Sequence, residues 1–200
     1  MKVISHLSAN EKVIALTFDD GPNEPYTSQI LDILKKFNIK ATFFPVGENI
    51  IRNKNILKKI FANGHIIGNH SYSHSMLAPI LSPSYKNEII KTQELIFNII
   101  GQKPIFFRPP WLFRTKAMLK TAENNNLQIV TGTFGSYFEV LGTSPEKIAR
   151  NTLRKIKPSM ILIFHDGYNN KIANRKNTVE AIKIIIPSLI EKGYKFTLPK

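Results

Sequence analysis

The chain reads as an α/β protein, a barrel of βα units rather than a flat doubly wound sheet, and three observations carry that expectation. Short β-branched or aromatic runs alternate with longer stretches of helical period, the pattern of a mostly parallel sheet. Seven such runs occur in 200 residues of 42% hydrophobic content, enough apolar surface for one well-buried core. No internal repeat and no low-complexity linker divides the chain, so residues 1–200 are expected to form a single domain.

In order, the expected strands are KVIALTF (Lys12–Phe18), ATFFPV (Ala41–Val46), HIIGN (His65–Asn69), IFF (Ile105–Phe107), QIVTGT (Gln128–Thr133), MILIF (Met160–Phe164) and KFTL (Lys195–Leu198). Each is short and rich in the residue types that suit a pleated, buried surface. Between them, apolar residues recur at helical spacing, for example Ile30, Leu34 and Phe37, or Ile89, Ile96 and Ile100. Thr27 or Ser28 is placed to open the first helix, and Ser144 followed by Pro145 reads as an N-cap with a first-turn proline. Gly101 and Gly193 fit helix ends.

The chain has no cysteine, so a disulfide framework or a thiolate metal site is excluded, and any metal must be held by His, Asp or Glu. The N-terminal segment lacks an apolar run of signal-peptide length, and no later stretch approaches a membrane span. As written, the chain shows no export signal and would be cytoplasmic, with the compartment left open. A formal charge of +14 favours approach to polyanions such as an anionic cell wall. The lysines are dispersed, and neither a nucleic-acid motif nor an Arg-aromatic patch is present, so no nucleic-acid partner is expected.

Chemistry concentrates in a few short stretches. In LTFDDGPNE two carboxylates, Asp19 and Asp20, stand together after an apolar run. A turn held by Asx-type hydrogen bonds would account for them equally well if they stood alone. In GNHSYSH, His70 and His74 are four residues apart, which on a helix puts both imidazoles on one face, ready to share a metal. Ser71 occupies the place where HExxH metalloproteases carry a general-base Glu, so a base must come from elsewhere. One Asp with the two histidines makes an open two-His, one-carboxylate site; the other Asp, in a strand that sends neighbouring side chains apart, is free to act as base. Arg108 and His165 also follow apolar strands directly, in IFFRPPW and MILIFHDG. Asp19, Asp20, His70, Arg108 and His165 thus share one positional rule, the C-terminal ends of parallel strands, where barrel enzymes assemble their sites.

TFDDGP, HSYSH, RPPW and LIFHD, in this order, resemble the polysaccharide deacetylase family, also known as carbohydrate esterase family 4 or the NodB-homology domain. The resemblance runs from about Lys12 to Leu198 and implies a distorted, TIM-barrel-like (β/α)7 barrel. It implies a metal-dependent hydrolase that removes N-acetyl groups from N-acetylglucosamine-containing glycans, peptidoglycan or chitin-like oligosaccharide. Carried over by position, Asp19 is the general base, and Asp20, His70 and His74 hold one divalent ion, zinc first, with cobalt, manganese or nickel as alternatives. Arg108 pairs with the base, and His165 is the general acid toward the leaving sugar amine. The backbone N–H of Trp111 falls at the oxyanion, and Ile163, Pro109 and Tyr137 fall along the substrate pocket.

The chain departs from the family pattern twice. Leu112 and Phe113 follow Trp111 where a glycine is usual, and the Asp-Trp pair that partners the acid histidine and lines the acetyl pocket is missing. Ser136-Tyr137 stands nearest to its place, and Glu139 is a candidate replacement for the lost carboxylate. The alternative to an enzyme is therefore a glycan-binding relative with weakened catalysis.

Overall fold

The computed structural model describes residues 3–8, 11–76, 85–136, 139–169 and 171–199. All seven expected strands are present in it. In chain order the strands are β1 (Val3–Ile4), β2 (Val13–Asp19), β3 (Thr42–Phe44), β4 (Ile66–Ile67), β5 (Phe106–Phe107), β6 (Gln128–Val130), β7 (Thr133–Phe134), β8 (Met160–His165) and β9 (Lys195–Phe196). The helices are α1 (Tyr26–Lys36), α2 (Gly47–Arg52), α3 (Lys54–Ala62), α4 (Tyr85–Ile100), α5 (Lys116–Asn124), α6 (Pro145–Lys155) and α7 (Lys176–Glu191).

The strand ladders run parallel in the orders β4-β3-β2-β8-β7 and β1-β6-β5, with β9 beside the start of β2. A parallel bridge between Asn69 and Phe107 joins β4 to β5. On the other side, β6 runs on into β7 through Thr131 and Gly132, and together these links close a distorted (β/α)7 barrel. The expected strand Gln128–Thr133 is thus two short strands, because its first half pairs with β1 and β5 and its second half with β8. β1, too short to stand out in the sequence, pairs with β6, while His6 and Leu7 reach Met160 and Ser159.

Because helices cover the outside and the barrel is filled inside, β2 and β8 are buried on both faces. Ile14, Leu16 and Phe18 point outward and pack with Leu162, Phe164 and the apolar faces of α1 and α7. Phe18 lies on Phe43 with ring centroids 5.1 Å apart, and burying each such ring contributes roughly 1.5–3 kcal/mol. Ala15 and Ile161 point inward, where they pack with Phe44 and Val130.

The helix ends follow local chemistry. The Ser144 hydroxyl accepts from the Lys147 N–H with Pro145 at the first position, and Gly101 and Gly193 turn left-handed after α4 and α7. Thr27 and Ser28 do not cap α1, which begins at Tyr26 after Pro25. The Thr27 hydroxyl is drawn instead to the buried Asp166 carboxylate, at 2.6 Å, and that of Ser28 to Glu24, at 2.7 Å.

Candidate active site

The parallel register sets Asp19 beside both Phe44 and His165, and Asn69 beside Phe107. The residues just past those positions, Asp20, His70 and Arg108, therefore arrive at one rim of the barrel. A cavity of about 190 Å³ opens there, lined by Asp19, Asp20, His70, His74 and His165 with Pro109, Trp111, Leu112, Phe134 and Val140.

Strand pleat alone does not separate the two aspartates. Asp20 sits past the end of β2 with φ of 73°, a left-handed conformation that Asp tolerates better than most residues, and this turns its side chain away from that of Asp19. The turn is packed against the one that follows β8. A Cβ on Gly21 would strike the Asp166 carboxylate, and one on Gly167 would strike the Asp20 carbonyl, so both positions admit only glycine. Asp166 accepts from the Gly21 N–H at 3.1 Å, and the Asn169 N–H donates to Asp20 Oδ2 at 2.9 Å. Asn49 reaches across both turns, donating to the carbonyls of Asp20 and Asn169 at 2.6 and 2.7 Å.

His70 and His74 are on a loop and not on a helix, with Ser71 and His74 both at positive φ. Their rings still converge, with centroids 4.8 Å apart. His70 Nδ1 lies 2.6 Å from the Arg108 carbonyl, which can only accept, so the proton is on Nδ1 and the Nε2 lone pair faces Asp20 Oδ1 at 3.5 Å. His74 Nε2 is 3.2 Å from the same oxygen. Burial, only partly offset by the Asp20 charge, pushes His74 down to about 4, which keeps it the neutral imidazole that binds metals.

Asp20 Oδ1 is buried without a hydrogen-bond partner, although it faces two imidazole nitrogens. An uncompensated buried carboxylate oxygen is costly. A divalent cation among Asp20, His70 and His74, whose ligand atoms lie within 4.8 Å of one another, would remove that cost, and the donor set suits it.

The histidine loop has its own clamp. Glu88, in the first turn of α4, accepts from the backbone N–H groups of Tyr72 and Ser73 at 3.2 and 2.8 Å and from the Ser73 hydroxyl at 2.9 Å. Glu88→Gln removes acceptor capacity from the loop that carries both histidines and takes left-handed backbone at Ser71 and His74. It is expected to weaken divalent-metal affinity roughly 10–100-fold, measured by competition with a chromogenic chelator.

Asp19 meets Arg108, whose guanidinium is fully buried. Arg108 Nη1 donates to Asp19 Oδ1 at 2.6 Å and to the Thr17 hydroxyl at 2.7 Å, and its other nitrogens donate to the carbonyls of Val130 and Thr131. Its plane also lies 4.2 Å over the Phe44 ring. Asp19 Oδ1 is thereby occupied, and Oδ2 is the free oxygen toward the cavity, 3.9 Å from His70 Nε2.

Trp111 lines the cavity with φ of 57° in a short 3-10 turn, its indole 5.3 Å from the His74 ring. Pro109 lines it as well, whereas Ile163 is fully buried and absent from the lining. Phe134 and Val140 form apolar wall there, and Phe134 stacks nearly parallel on His165 with centroids 6.0 Å apart. Tyr137 lies outside the described residues. The motifs had singled out neither Asn49, Glu88 nor Asp166; of these only Asp166 carried a signal, standing directly after His165 in LIFHD.

A family model described as polysaccharide deacetylase matches residues 6–130. A Bacillus cereus protein named peptidoglycan-N-acetylglucosamine deacetylase is 40% identical over 191 residues, which is 95% of this chain and 68% of that one. A solved peptidoglycan N-acetylglucosamine deacetylase, in complex with 4-naphthalen-1-yl-N-oxidanyl-benzamide, superposes with a TM-score of 0.88 at 37% identity, covering 98% of this chain and 90% of that one. A family 4 acetyl xylan esterase from Clostridium thermocellum in complex with a cobalt ion gives 0.80 at 34% identity, covering 94% and 88%. A family pseudoenzyme from Bacillus anthracis gives 0.87 at 28% identity, covering 98% of this chain and 67% of that one.

Proposed function

The chain belongs to the polysaccharide deacetylase family, and from that premise we propose that it hydrolyses the N-acetyl group of N-acetylglucosamine units in a glycan, with peptidoglycan ahead of chitin-like oligosaccharide. The observation that carries this is the convergence of Asp19, Asp20, His70, His74 and His165 on one cavity, with each carboxylate turned to a different partner.

Asp20, His70 and His74 would hold one divalent ion, zinc by preference for two imidazoles and a carboxylate. Such an ion, when bound, polarises an amide carbonyl and lowers the pKa of water from 15.7 toward about 7. Asp19 Oδ2 takes the proton of the attacking water, while Arg108 holds the carboxylate still through Oδ1. The Trp111 N–H serves the carbonyl oxygen as it gains charge. When the C–N bond breaks, His165 donates a proton to the amine nitrogen, and the products are acetate and a free sugar amine. Leu112, Phe134 and Val140 supply the apolar wall for the acetyl methyl. The basic surface, at a formal charge of +14, suits an anionic wall polymer.

Acetate release from N-acetylglucosamine oligomers and from peptidoglycan, measured in metal-loaded protein with and without chelator, tests the proposal. Chelator is expected to abolish release and added zinc to restore it. The likeness to a pseudoenzyme gives the competing reading, a binder of glycan. Glycan binding by metal-loaded protein without acetate from any substrate would favour that reading and sink the proposal. Asp20→Asn and His74→Ala are each expected to lose metal in a stoichiometry measurement, with turnover falling in parallel.

A further inference from the structure

Glu139 is a buried carboxylate at the start of a 3-10 turn, Glu139–Leu141, and both of its oxygens are used. Oε2 lies 2.9 Å from Nδ1 of His165. Oε1 accepts from the backbone N–H of His165 at 3.1 Å and from the hydroxyl of Thr178 at 2.7 Å. Two of its three partners thus belong to one residue, and the third lies in the first turn of α7, the end of a helix that favours negative charge. A carboxylate this deeply buried is costly unless it is paired and hydrogen-bonded, and it is satisfied here only by His165 and its surroundings.

We propose that Glu139 is the positioning residue for proton donation by His165, holding a proton on Nδ1 so that Nε2 is presented to the cavity. The inference rests on the hydrolase reading above and adds the group that sets the acid's orientation and charge. Glu139 can only accept from Nδ1, so the tautomer follows from the pairing. Phe134, stacked on the ring, stops it from tilting. Burial alone would push His165 down; the Glu139 charge and hydrogen bond, with Asp20 and Asp19 behind them, hold it up to about 9. The titratable groups that bear on it are Glu139 from the turn, Asp19 and Asp20 from the rim of β2, and His74 from the histidine loop. Of these, only Glu139 makes a hydrogen bond to its ring.

The test uses zinc-loaded protein with 15N-labelled histidine. In the wild type, His165 is expected to show a protonated Nδ1 and to keep its charge well above pH 7. Glu139→Gln is expected to move the His165 titration, and with it the basic limb of kcat, down by about two pH units, so that kcat at pH 8 falls about tenfold with KM little changed. Glu139→Asp, which keeps the charge, is expected to restore most of the limb. A limb and a titration that stay in place in Glu139→Gln would overturn the proposal, as would a wild-type His165 that titrates at or below its ordinary value. The wild-type spectrum decides the matter even if Glu139→Gln fails to fold. Absence of acetate release in the wild type would defeat the hydrolase reading, while the spectra would still report on the pairing.

Discussion

Replacing Asp19 with asparagine is expected to lower kcat by roughly 10²–10⁴-fold while leaving the divalent metal bound. Asparagine keeps an oxygen that can accept from Arg108 Nη1, so the contact now made at 2.6 Å survives in kind and the rim keeps its shape. What is lost is the ability of the free oxygen to take a proton. The proposed metal ligands are untouched, because Asp20 turns the other way at φ of 73° and reaches His74 Nε2 at 3.2 Å. Metal stoichiometry and single-turnover acetate release, measured on the same sample, separate the two roles. Were Asp19→Asn to lose metal and Asp20→Asn to keep it, the assignments of the two aspartates would have to be exchanged.

Arg108→Met is expected to destabilise the fold by about 3–5 kcal/mol, the range for removing one partner of a buried ion pair. The guanidinium is fully buried inside the barrel and satisfies Asp19, the Thr17 hydroxyl and two backbone carbonyls at once. Methionine fills much of the volume and leaves all of those acceptors without their donor, with the Asp19 carboxylate the worst placed. In a domain of this size each kcal/mol moves the melting temperature by about 2–4 °C, so the variant is expected to melt roughly 6–20 °C lower. Adding Asp19→Asn to Arg108→Met removes the stranded charge and is expected to recover part of the loss, a coupling that a double-mutant cycle measures. A single Arg108→Met variant that melts with the wild type would mean that the barrel interior is hydrated and that Arg108 does not organise the base.

Much of the site was legible from residue types and order. TFDDGP, HSYSH, RPPW and LIFHD each follow an apolar run, and parallel strands deliver whatever follows them to the same rim, so Asp19, Asp20, His70, Arg108 and His165 could be gathered before any contact was known. Where expectation and structure part, a local rule lost to a tertiary one. The four-residue spacing of His70 and His74 suggested a helix, yet the rings meet on a loop because Ser71 and His74 take left-handed backbone held by Glu88 and by the barrel rim. Thr27 has the chemistry of a helix cap, yet the buried Asp166 carboxylate takes its hydroxyl. Ile163 lies beneath the cavity, since β8 sends it into the barrel one step below His165, and the apolar wall comes instead from Phe134 and Val140.

By itself, then, the sequence determined the α/β class and the family, because the alternation of apolar runs with helical stretches and the four motifs follow from residue chemistry and spacing along the chain. Only the tertiary structure decided how the two aspartates part and what stands beside His165. Those depend on a left-handed turn locked between two glycine-lined loops and on a carboxylate 26 residues away in an irregular turn. Neither has a period or a spacing that a chain can display in one dimension. Both are set by which groups the closed barrel leaves within hydrogen-bond reach once water is gone.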